Sequence, residues 1–259
     1  MPVDWDEMQK EMYPIKDYGA LGQRWQDAFA YSFVCEAYNF SMPEIADYTQ
    51  RLLGGDTRNR YTEYSQRLVE TFNQLHQASV QDIMDLVTQV DTSEQFEAFT
   101  DQTMVHERDA MAALKYLVYW FIPTKKYLSG LVLKDSSMIE IIKALRSLGI
   151  RTNLDILQQG LTSVNRKAIA EASKLSELEI NELTNWADFS RMPWASKATI
   201  SNIIGAGYRS IEELANANPE QLHQDFHSYG ASIGKNLKFG NEIESSYRIA
   251  KIIPLILVE

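Results

Sequence analysis

The sequence predicts an all-α protein in two parts, and three observations carry that expectation. Apolar residues recur at helical spacing, helix starts are marked by Ser or Thr with an acid three residues on, and the composition changes at Pro123. No alternating β pattern interrupts the helical one. A chain of 259 residues with 45% hydrophobic and 23% charged residues can bury a substantial core, as one large or two modest domains.

Leu21, Trp25, Phe29 and Phe33 repeat every four residues, and Tyr64, Leu68 and Phe72 do the same with Leu75 following. Val80, Ile83, Met84 and Val87 give the helical spacing of three and four residues. Such stripes face a common interior, so residues 16–122 are expected to form an antiparallel bundle of about five helices within an acidic first domain, 1–122. Its breaks fall at "LLGGDT" (52–57) and "VDTSE" (90–94).

Pro123 stops the last bundle helix, and "PTKKYLSGLVLKDSS" (123–137) turns basic and small. Residues 123–136 are therefore expected to link the bundle to a second domain, 137–259. Ser41 with Glu44, Thr152 with Asp155, Ser176 with Glu179 and Ser210 with Glu213 each fit a capping box. Each is expected to begin a short helix.

The net charge of −10 is uneven. Residues 1–122 hold 9 of the 25 basic and 20 of the 35 acidic residues, or −11; the remaining 16 basic and 15 acidic residues give +1. A polyanion would be repelled by the front part and met neutrally by the back part. The single cysteine, Cys35, excludes an internal disulfide framework, and there is no CxxC pair for zinc. The acidic start lacks the basic, apolar pattern of a secretory signal, and the longest apolar block, "YLVYWFI" (116–122), is short of a membrane span. A cytoplasmic protein without a membrane partner is the expectation.

Residues 137–251 carry a resemblance. "LGIRTNLDILQQGLTSVNRKAIAEASKLSELEINELTNWADFSRMPWASKATISNIIGAGYRSIEELANANPEQL" resembles the tandem helix-hairpin-helix (SAM-like) domain of unknown function of bacterial and archaeal proteins. It is also similar to the helix-hairpin-helix end of Ski2-like repair helicases, although no motor motif is present. The resemblance implies hairpin turns whose amides meet a DNA phosphate, with glycines allowing close approach. Where the family has glycine, hydrophobic residue, glycine, this chain has Trp194, Ala195 and Ser196, followed by Lys197. Trp194 removes clearance and conformational freedom, while Ser196 caps well and Lys197 supplies a cation.

The other hairpin would turn at Gly160, with Arg166 and Lys167 on the following helix. Further on, Gly230, Gly234 and Gly240 interleave with Lys235 and Lys238 and make another candidate anion-binding stretch. The candidate nucleic-acid or anion contacts are thus Arg166, Lys167, Ser196, Lys197, Lys235 and Lys238.

No catalytic residue, cofactor or metal is expected. "GASIG" (230–234) has the spacing of a hydrolase nucleophile elbow but no strand before it and no histidine after Ser232. His223 and His227 stand four apart, but Gln224 occupies the place of a metalloprotease glutamate. The expected role is a non-enzymatic adaptor attached to DNA or RNA transactions through the second domain. The alternative is a protein-interaction scaffold or homo-oligomer whose hairpins have become packing elements, with the apolar "IIPLILVE" as a docking or packing end.

Overall fold

The computed structural model describes residues 3–54, 59–132, 136–193, 195–237 and 242–258. The described residues form α-helices and isolated bridges, with no strand ladder, so the protein is all-α. The chain divides into two compact units, Met1–Thr124 and Lys125–Glu259.

The first unit runs α1 (Trp5–Met12), α2 (Tyr18–Phe29), α3 (Ser32–Ala37), α4 (Met42–Leu53), α5 (Asn59–Gln77), α6 (Ile83–Gln89), α7 (Ser93–Thr103) and α8 (Glu107–Tyr116). Among the described residues, seven α-helices, α2–α8, stand where the periodicity suggested about five. α1 lies before the first stripe, capped by Asp4 and burying Met8 and Met12. The stripe from Leu21 to Phe33 is divided between α2 and α3, because Tyr31 takes extended backbone and turns Phe33 and Val34 into the core. Nothing local forces that break; the packing does.

α8 continues as a π-helical turn, Leu117–Phe121, whose end is marked by the Ile122 N–H reaching the Leu117 carbonyl at 2.7 Å. Ile122 before Pro123 is extended, as a residue before proline prefers. Phe121 then meets Tyr38, Phe40 and Tyr48 edge-on, with ring centroids 5.4, 4.9 and 4.8 Å away. Beneath the π turn, the Tyr116 hydroxyl is wholly buried beside Thr49 and makes no hydrogen bond of good geometry. An orphaned buried hydroxyl costs stability, so Tyr116→Phe should raise the unfolding free energy by about 1 kcal/mol. Urea unfolding checks this, and a destabilised variant would mean that the hydroxyl has found a partner.

The second unit comprises α9 (Leu128–Leu131), α10 (Ser136–Ser147), α11 (Asn153–Gly160), α12 (Ser163–Ser173), α13 (Glu177–Phe189), α14 (Lys197–Gly205), α15 (Ile211–Asn216), α16 (Pro219–Ser232) and α17 (Glu242–Ala250). An extended end segment follows to Val258. Part of the stretch expected as a linker is packed within this unit. Leu128, Leu131 and Val132 are buried, and the Lys126 ammonium donates to the Ser190 carbonyl at 2.9 Å. Burial lowers the Lys126 pKa. Asn153, also buried, accepts from the Lys126 amide and donates to the Ser190 hydroxyl.

Among the described residues, one turn is built three times. After α10, Gly149 adopts φ +81°, the Ile150 N–H reaches the Leu145 carbonyl, and the Arg151 amide bonds the Asp155 carboxylate at 2.9 Å. After α14, Gly207 adopts φ +106°, Tyr208 reaches Ile203, and the Arg209 amide bonds Glu213 at 2.5 Å. After α5, Ser79 takes φ +72°, Val80 reaches Leu75, and the Gln81 amide bonds Asp85 at 2.9 Å. Thr152, Ser210 and Asp82 cap the short helices that follow.

The likeness between the units extends further. Met42 and Ile83 exchange amides with the carbonyls of Gln81 and Phe40, as Leu128 and Asn153 do with those of Arg151 and Lys126. Met104 ends α7 and Lys174 ends α12 in the left-handed region, at φ 57° and 59°. The order of helices, caps and turns over α4–α8 is repeated over α9–α13. Side-chain identities conceal this repeat, because Ser79 and Met104 occupy turns that would otherwise announce themselves with glycine.

The boxes at Ser41, Thr152 and Ser176 close reciprocally. At Ser210 the hydroxyl accepts the Glu213 amide at 3.0 Å, while the Glu213 carboxylate takes the preceding Arg209 amide. The hydrogen bonds from Ser176 hold the Glu179 carboxyl below its ordinary pKa.

Candidate functional site

The first of the two expected hairpins turns from α11 into α12. Thr162 caps α12 by accepting the Asn165 amide at 3.2 Å, and the first turn of α12 holds no acid. The end segment comes alongside in a parallel bridge between Thr162 and Val258. Ser163 N–H donates to the Val258 carbonyl at 3.2 Å, and Val258 N–H donates to the Leu161 carbonyl at 2.9 Å.

Arg166 serves this arrangement. Its Nε donates to Asn181 Oδ1 at 2.7 Å, Nη1 to the Gly160 and Leu161 carbonyls at 3.0 and 3.2 Å, and Nη2 to the Val258 carbonyl at 3.4 Å. The guanidinium expected to meet a nucleic-acid backbone is therefore half-buried and turned onto the protein's own main chain. Lys167, its neighbour, is exposed.

A second arginine, which the sequence reading passed over, grips the same segment. Arg191 is buried, with Nε 2.8 Å and Nη2 2.6 Å from Asp188 Oδ1, and Nη1 donates to the Pro254 carbonyl at 3.0 Å. Burial raises the Asp188 pKa while Arg191 draws it down. An acid and an arginine three apart in the otherwise apolar "ADFSRMPW" (187–194) were the available signal.

At the other hairpin, Trp194 lies outside the described residues. Ser196 is exposed and caps α14, accepting the Thr199 amide at 3.1 Å. Lys197, partly buried, donates its ammonium to the Val132 carbonyl. The first turn of α14 holds no acid.

Around Gly234, the turn amides are already used. Ile233 N–H bonds the Tyr229 and Gly230 carbonyls, Gly234 N–H that of Ala231, and Lys235 N–H that of Gly230 at 2.8 Å. The expected anion-binding turn is instead the closing turn of α16, at the helix end whose dipole disfavours an anion. The Lys235 side chain is exposed, while Lys238 lies outside the described residues. A shallow cavity of about 320 Å³ is lined by His227, Ala231, Gly234, Lys235, Asn236 and Leu237. The described candidate cations thus sit on three separate elements: Arg166 and Lys167 on α12, Lys197 on α14, and Lys235 beyond α16.

The weaker motifs have ordinary places. Ser232 lies in the last turn of α16 and donates to the Tyr229 carbonyl at 2.8 Å. His223 and His227 are exposed on the same helix. Among the described residues no group of three or more His, Cys, Asp or Glu gathers as metal ligands would, and no described helix is long and apolar enough to cross a membrane.

The structure thus defines an all-α protein whose second unit repeats a helix, left-handed turn, short helix and longer helix. Residues 138–238 match a domain of unknown function, DUF4332, over less than half of the chain. No curated protein and no solved structure matches the sequence.

Proposed function

We propose that this chain is a non-enzymatic adaptor, whose second unit is a helix-hairpin-helix type of module that has turned its anion-binding features inward and engages protein. One observation carries the reading. At the α12 start, the Ser163 amide is spent on the Val258 carbonyl and the Arg166 guanidinium on Asn181 and the Gly160, Leu161 and Val258 carbonyls, so the groups that would meet a phosphate are taken up within the chain. The amides at Arg151 and Arg209 likewise face the chain's own carboxylates, whose charge repels a phosphate.

Among the described residues, a nucleic-acid role is favoured at the α14 start, where Ser196 caps a helix with no acid in its first turn, with Lys167 and Lys235 as exposed cations elsewhere. The test is titration of the full chain with short fluorescent DNA and RNA, single- and double-stranded, at about 50 and 200 mM salt. The adaptor reading expects no salt-dependent binding. Affinity that falls steeply with salt, and falls further in Lys197→Glu, would overturn it in favour of phosphate contact.

A further inference from the structure

The repeat runs through the chain a third time, because α14–α17 follow the order of α5–α8. Each has a helix, a left-handed residue (Ser79 or Gly207) and a short capped helix. A longer helix follows, capped by Thr92 or Asn218, with Met104 or Gly234 left-handed beyond its end. Equivalent residues can therefore be paired. Gln77 and Gly205 each end the first helix, two residues before the left-handed one, and Thr103 and Tyr229 are each the eleventh residue after their cap.

The two pairs meet differently. In the second unit the Tyr229 ring lies on Gly205, where an added Cβ would run into it. In the first unit the smaller Thr103 does not reach across to Gln77, and the two line a cavity of about 240 Å³ with Gln74, Ala78, Met104 and Val105. Met104 stands at its rim, 86% exposed at φ 57°. The surroundings favour a cation. The ends of α5 and α7 both border the cavity, and a helix end is the negative pole of its dipole, with carbonyls short of intrahelical partners. The last turn of α7 holds no base and that of α5 only His76, while Gln74 and Gln77 add carboxamide oxygens. The first unit as a whole carries −11, from 9 basic and 20 acidic residues.

We propose that this cavity takes an arginine side chain from a basic segment of a partner protein. Its counterpart in the second unit holds a ring, so the place suits a planar group, and the guanidinium is the planar cation among side chains. Its five donors match carboxamide and helix-end carbonyl oxygens, which a single ammonium would serve less fully. The exposed thioether of Met104 can lie along the arginine stem. The charge of the first unit draws a basic segment and repels an acidic one. The inference extends the adaptor reading to the first unit and rests on it.

Titration of the full chain with fluorescent peptides of alternating arginine and glycine, lysine and glycine, or tyrosine and glycine, at about 150 mM salt, tests it. The arginine peptide is expected to bind most tightly. Gln77→Lys should weaken it by at least about tenfold, because it sets a cation beside the cavity. Gln66→Lys, the same charge change at an exposed position of α5 outside the cavity lining, should leave affinity nearly unchanged. Gln77→Gly with Thr103→Tyr, which copies the packing of Tyr229 on Gly205, should abolish binding while the circular dichroism stays helical; if that variant fails to fold, the two lysine variants decide. Equal losses in both lysine variants would show attraction to the acidic unit at large and overturn the proposal. So would no binding of the arginine peptide, or equal binding of the lysine or tyrosine peptide. Each of these results strikes the cavity and leaves the adaptor reading, which only the nucleic-acid titration above can remove.

Discussion

Arg191→Met is expected to cost roughly 3–5 kcal/mol of stability, because it leaves the Asp188 carboxylate buried without its cation. Two contacts to Asp188 and one to Pro254 disappear together. The companion variant, Asp188→Leu with Arg191→Met, should recover most of that loss, since an apolar pair of similar size carries no buried charge. Urea unfolding of the two variants measures both effects. A loss below about 1 kcal/mol in the single variant would mean that water reaches the pair.

The pH dependence has a definite sign. In the intact protein, burial raises the Asp188 pKa and Arg191 opposes it. Without Arg191 only the rise remains, so the folded carboxyl binds its proton more tightly than the unfolded one. The destabilisation is then complete above the folded pKa and shrinks as pH falls through it towards the ordinary carboxylate range. The stability gap between intact protein and variant should therefore narrow on acidification from neutrality.

Gly230→Ala should cost about 1–3 kcal/mol, although alanine is the better helix former by up to about 1 kcal/mol. A Cβ at this position would stand 2.6 Å from the Lys235 carbonyl oxygen and 3.0 Å from the Leu237 nitrogen. Both are main-chain atoms, and the same return is tied down by the Lys235 N–H on the Gly230 carbonyl. The clash cannot be relieved by rotating a side chain; the turn after α16 must open. Gly130→Ala is the control, because a Cβ there meets nothing within 4 Å. Thermal unfolding should show a lowered midpoint for the first and none for the second, and equal midpoints would mean that the turn does not pack on Gly230.

The sequence-level reading succeeded where the cause is local. The hydroxyls of Thr152 and Ser176 and the acids three residues on meet within one helical turn, so their spacing suffices to place the starts of α11 and α13. Stripes such as Tyr64, Leu68 and Phe72 specify which face of a helix is buried, and Leu68 and Phe72 are wholly buried. It failed where a break or a turn depends on distant contacts. The separation of α2 from α3 has no glycine or proline to announce it, and the threefold turn is hidden by Ser79 in place of glycine.

The candidate cations divide along the same line. Lys167 is exposed on α12, where its local surroundings govern it. Arg166 is held by Asn181 and by the Gly160 and Leu161 carbonyls and reaches Val258, 92 residues away, while Arg191 joins Asp188 to Pro254, 63 residues away. The sequence by itself determined the all-α class, the well-capped helix starts and the lone cysteine, because propensity, capping and composition act over a few residues. Only the tertiary structure decided that two arginines point at the protein's own end segment. Their partners there are main-chain carbonyls, which every residue possesses and no side-chain pattern can advertise.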